Sequence, residues 1–185
     1  MKKSIKNLTI SAGFLAGGLV LPFFTGQIPA IGNMLLPMHI PVFLCGLICG
    51  WQYGAVVGFI LPLFRSLLFS APPIYPNACT MALELMTYGL IAGLLYSRSK
   101  WRCVLSLYRS LLIAMICGRV VWGIAQMILL GFGGKSFTFH MFLAGAFLNA
   151  IPGIVLQLIF VPAVMIALNK TGLVPFKTAA KERRQ

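Results

Sequence analysis

Acidic residues are almost absent. The 185-residue chain has no aspartate and two glutamates, Glu84 and Glu182. Metal-dependent membrane transferases and intramembrane aspartyl proteases both need several carboxylates, so both are excluded. No GxSxG or HExxH pattern occurs either. Gly134-Lys135-Ser136 looks like the end of a phosphate loop, but the glycine required five residues before Gly134 is Leu129. The five cysteines (Cys45, Cys49, Cys79, Cys103, Cys117) form no CxxC, and the two histidines have no metal-ligand spacing. The cysteines read as small apolar packing residues. No cofactor, metal or enzymatic activity is expected.

Charge of either sign is scarce at 9% of residues, where a soluble domain carries about 25%. What fills the chain instead is apolar: 59% hydrophobic residues and a mean hydropathy of +0.94. Each helical crossing of a bilayer takes ~20 such residues. The length therefore predicts one integral membrane domain, 1–185, with helices near 8–24, 39–50, 53–70, 78–96, 107–130 and 141–168. The stretch 39–50 is short for a crossing, so the loop 25–37 is expected to fold back into the membrane, which is tolerated where backbone lines a cavity. Ala71-Pro72-Pro73-Ile74-Tyr75-Pro76-Asn77 cannot continue a helix. A cleaved signal peptide is not expected, because no small-residue cleavage site follows Lys6.

The net charge of +13 raises the question of nucleic acid, but its distribution answers it. Twelve of the fifteen Lys and Arg residues lie in or beside the amino terminus, the linker near 97–106 and the carboxyl tail. Long apolar runs separate the three clusters, so they mark the cytoplasmic ends of helices. An even number of crossings with both termini in the cytoplasm satisfies that asymmetry. The fold class is an all-α membrane protein of six transmembrane helices.

Three ionisable residues fall inside the expected spans: Arg65, Glu84 and Arg119. Each must face protein or water, since a charge at the bilayer centre costs at least ~2.5–3.5 kcal/mol. Arg65 and Glu84 lie at matching depth on either side of the proline-rich turn, about 14 Å below its tip at ~1.5 Å per residue. A buried ion pair between them is one reading and the border of a ligand site the other. Arg119, Trp122 and Gln126 share one helical face, as do Glu84 and Tyr88, and Asn149 and Gln157 lie two turns apart. Faces combining a cation, an aromatic ring and an amide suit a polar cavity. His39 and His140 open two spans and read as interfacial.

Leu36-Pro37-Met38-His39-Ile40-Pro41-Val42, with Gly50-Trp51-Gln52-Tyr53-Gly54 after it, resembles the substrate-binding S-components of energy-coupling factor (ECF) vitamin transporters. Ala12-Gly13-Phe14-Leu15-Ala16 is similar to the family's AxxxA element, in which small residues one turn apart let a partner's helices approach. The resemblance implies six helices in the bacterial cytoplasmic membrane. It also implies a vitamin held under the outer loops 25–37 and 71–77, and partners comprising a membrane coupling subunit and two ATPase subunits. Ala12 and Ala16 then belong to the partner interface. Arg65, Tyr75, Asn77, Glu84, Tyr88, Arg119, Trp122, Gln126 and Asn149 are the expected ligand-binding residues. Two intramembrane arginines against one glutamate favour an anion, since an arginine fork pairs well with a carboxylate. Pantothenate is the first expectation, with folate, nicotinate and a corrinoid as alternatives. The competing class is a non-transport membrane protein, an assembly factor or a channel subunit.

Overall fold

A computed structural model describes residues 2–24, 37–101, 103–132, 142, 145, 150–171 and 176, and every regular element among them is helical. Among the described residues six α-helices follow one another: α1 (Lys2–Phe24), α2 (His39–Cys49), α3 (Trp51–Phe69), α4 (Cys79–Arg98), α5 (Val104–Phe132) and α6 (Ile151–Lys170). Five segments among the described residues are long and apolar enough to cross a bilayer: Ser4–Phe23, Trp51–Phe69, Ile74–Arg98, Val104–Gly131 and Ile151–Lys170. The chain is a multi-pass membrane protein.

Helix ends differ from the apolar runs for a simple reason. α1 begins at Lys2 rather than near Leu8, and α5 runs Val104–Phe132 rather than 107–130. Backbone hydrogen bonding within a helix does not stop where the apolar run stops, so helices outlast their hydrophobic stretches. The last span was expected to begin at 141; α6 begins at Ile151, and before it Phe142 and Gly145 are also helical. The rest of 141–149 lies outside the described residues.

With eleven residues, α2 spans about 16 Å at ~1.5 Å per residue, half of a ~30 Å hydrocarbon layer. Six crossings therefore do not follow from helix length alone. Every residue of α2 except Ile48 is buried, so its surroundings are protein rather than lipid. The back-folding expected of the preceding loop cannot be described, because residues 25–36 lie outside the described set.

Glycines decide how tightly the centre packs. Gly50 alone joins α2 to α3, with a φ of 108° that a side chain would strain. Beyond it, Gly46, Gly54, Gly58, Gly89 and Gly93 bring α2, α3 and α4 into backbone contact. A Cβ on Gly46 would lie 2.5 Å from the Gly89 carbonyl oxygen, and one on Gly89 would overlap the Gly54 backbone. In lipid, where tails are as apolar as leucine, such close approach supplies the attraction that the hydrophobic effect gives in water. α5 packs on α4, and α6 lays Gly153, Gln157, Val161 and Met165, spaced by four, against α2 and α5.

At the Pro-rich end, Ser70 takes a left-handed cap and Ile74–Ala78 forms an irregular wide turn into α4. Basic residues collect at the opposite end, where Arg98 closes α4. There Asn7 of α1 donates to the Cys49 carbonyl, one of the last carbonyls of α2 that lack a helical partner.

Gly89→Ala should lower the thermal unfolding midpoint of the detergent-solubilised protein, since overpacking costs about 1–3 kcal/mol. Gly13→Ala, where a Cβ meets nothing within 4 Å, should leave it unchanged. Equal midpoints for the two variants would refute the packing account.

Candidate functional site

Glu84 lies on the buried face of α4, five residues after its start at Cys79. A carboxylate there is stable only if donors surround it. Arg119 of α5 places Nη1 3.0 Å from Glu84 Oε1, and both side chains are almost fully buried. The Tyr88 hydroxyl, one turn along α4, donates to the same oxygen at 2.7 Å. His39, the first residue of α2, sits with Nε2 3.8 Å away. Three helices thus converge on one oxygen. Tyr88 reaches it because Gly118 leaves room: a Cβ there would overlap the tyrosine ring. Phe43, one turn after His39, stacks on Tyr88 with ring centroids 5.0 Å apart.

Among the described residues of α5 and α6, some buried polar atoms are left unsatisfied. Arg119 Nε, Gln126 Oε1 and Gln157 Nε2 are buried without a hydrogen-bond partner. Gln126 follows Arg119 by two turns on the same face of α5, and Gln157 is 1% exposed on the packed face of α6. Buried orphans of this kind are rare, each costing about 1–3 kcal/mol. Trp122, between Arg119 and Gln126 on that face, lies over Phe142 with centroids 6.4 Å apart and an interplanar angle of 28°.

The other expected site residues are elsewhere. Arg65 does not pair with Glu84. Its Nε donates to the Ala71 carbonyl at 3.1 Å and its Nη1 to the Leu19 carbonyl at 3.3 Å, with the guanidinium about 6 Å from the Phe23 and Phe69 ring centres. Equal backbone depth misleads here, because a long side chain climbs toward whichever acceptors are unsatisfied. Proline nitrogens cannot donate, so the carbonyls of Ala71 and Pro72 take side-chain donors, Arg65 and Ser66. Tyr75 lies in the same turn and donates to the Leu129 carbonyl near the end of α5, while Asn77 is exposed. Asn149 lies outside the described residues.

The family model for the substrate-specific component of ECF transporters matches residues 6–165. The chain belongs to that family. No curated protein and no solved structure matches it. Substrate-specific components are substrate-binding membrane subunits; they associate with an ECF module whose other subunits hydrolyse ATP. In this substrate-specific component Ala12 and Ala16 are exposed on α1, and beside them Gly13 has nothing within 4 Å of where a Cβ would stand.

Two members of the buried group went unrecognised as site residues. His39 reads as interfacial by its position at a helix start, and the apolar run after it suits lipid and protein surroundings equally. Gln157 is noticeable as an amide in an otherwise apolar helix.

Glu84→Gln should destabilise the protein by about 3–5 kcal/mol, because it strands a buried arginine. Adding Arg119→Met should recover much of that loss. A double-mutant cycle in detergent unfolding measures the coupling, and strictly additive effects would dissolve the pair.

Proposed function

We propose that this protein is the vitamin-binding subunit of an ATP-driven ECF uptake transporter in the bacterial cytoplasmic membrane. In this reading the whole chain is one membrane domain of six crossings, α2 serving as a short one shielded by its neighbours. Both termini are cytoplasmic, as the basic residues at one end favour. The ligand binds in the outer half, between the proline-rich turn and the Glu84 cluster. The observation that carries the reading is the buried group of His39, Glu84, Tyr88 and Arg119 drawn from α2, α4 and α5, supported by unpartnered buried amides on α5 and α6. Intramembrane polar groups with unmet hydrogen bonds are expensive unless a ligand uses them.

The ligand is a small vitamin offering both donors and acceptors, with Trp122 and Tyr88 supplying aromatic surface. Pantothenate, with an amide and hydroxyls, is the leading candidate among the vitamins considered. Arg65, Tyr75 and Asn77 act at the mouth, Arg65 by tying the turn to α1 rather than by touching ligand. The exposed Ala12 and Ala16 face the membrane coupling subunit, where small residues permit close helix approach.

Mass spectrometry of the small molecule retained by the purified protein is the direct test, and recovery of no vitamin from cells grown in vitamin-replete medium would count against the reading. Ala16→Trp should abolish uptake by the assembled transporter while leaving the isolated subunit's ligand affinity within about twofold. Uptake at the wild-type rate would remove this face from the interface.

A further inference from the structure

Arg119 is already committed. Its Nη1 holds Glu84 at 3.0 Å, so among the described residues the arginine of the buried cluster is balanced by its glutamate. Arg65, the other intramembrane arginine, donates through Nε and Nη1 to the Ala71 and Leu19 carbonyls and lies about 6 Å from two phenylalanine rings that contact each other. The surplus positive charge counted along the sequence is therefore not available as a carboxylate receptor. What α5 and α6 leave unmet among the described residues is uncharged in character: a donor at Gln157 Nε2, an acceptor at Gln126 Oε1, and the Nε donor of an arginine whose charge is balanced. A carboxylate brought to this place would offer acceptors only and would leave Gln126 Oε1 without a donor. It would also sit beside Glu84, where a second buried negative charge is repelled.

Building on the transport reading above, we infer that the site recognises its ligand through neutral groups that both donate and accept, such as an amide, lactam or hydroxyl. Any carboxylate on the ligand stays outside the Glu84–Arg119 cluster. An amide or lactam offers a carbonyl to donors such as Arg119 Nε and Gln157 Nε2 and an N–H to acceptors such as Gln126 Oε1. Such a group meets orphans of both senses without disturbing the ion pair.

The test uses the purified full-length protein and matched ligand pairs that differ in one charged group: pantothenate with panthenol, nicotinate with nicotinamide, and biotin with biotinamide. Riboflavin is included as a neutral compound and thiamine as a cation. Isothermal titration at neutral pH gives the affinities. The expected result is that the tightest ligand is riboflavin, or a skeleton whose neutral member binds within tenfold of its carboxylate. A carboxylate more than tenfold tighter than its neutral partner overturns the inference while leaving the transport reading standing, as does thiamine binding tightest of all. Binding of none of these by folded protein defeats the transport reading, and this inference with it. In Glu84→Gln, which unmasks Arg119, the carboxylate-to-neutral affinity ratio should rise at least tenfold. An unchanged ratio in a variant that remains folded also overturns the inference.

Discussion

A carboxylate and a guanidinium in contact at membrane depth constrain everything near them. Neither Glu84 nor Arg119 could remain charged in lipid alone, so α4 and α5 must present them to each other, and the residues between the helices must keep water and lipid away. Gly118 follows from that requirement, since Tyr88 needs its space to reach Glu84. So does the position of His39, which brings the start of α2 to the same oxygen. An ion pair of this kind adds little net stability over an apolar filling. Its value lies in fixing which faces of the helices meet.

Packing at the centre supplies the second half of the arrangement. Where α2, α3 and α4 touch through glycines, the backbones act as a stiff wall, because no flexible side chain separates them. α2 can then be half the usual length, since protein satisfies what lipid would not. The orphaned amides of Gln126 and Gln157 belong to α5 and α6, which take no part in that glycine contact. α1, by contrast, exposes Ala12, Gly13 and Ala16 while Gly18 packs against Leu61.

Much of this was legible in the sequence, and the misses have a common cause. Glu84, Tyr88 and Arg119 stood out because charge and aromatic character recurred at helical spacing inside apolar runs, and the structure joins all three. Arg65 was matched to Glu84 by depth, but proline chemistry in the neighbouring turn created carbonyls that a long side chain reaches more readily. His39 was passed over because interfacial and buried histidines look alike when only one helix is considered. Gln157 stands out by its spacing from Asn149, but that its face packs against α2 and α5 is not encoded in its own helix.

Residue types alone are enough to show that the chain lives in a membrane and which few polar residues must be sheltered. These follow from transfer energies, which depend on residue type and hardly on context. Only the tertiary structure decided which charge meets which, that α2 is short and enclosed, and that Arg119 is spoken for while Arg65 braces a turn. Pairing depends on side-chain reach and on donors and acceptors supplied by other helices. A one-dimensional pattern does not encode either of these.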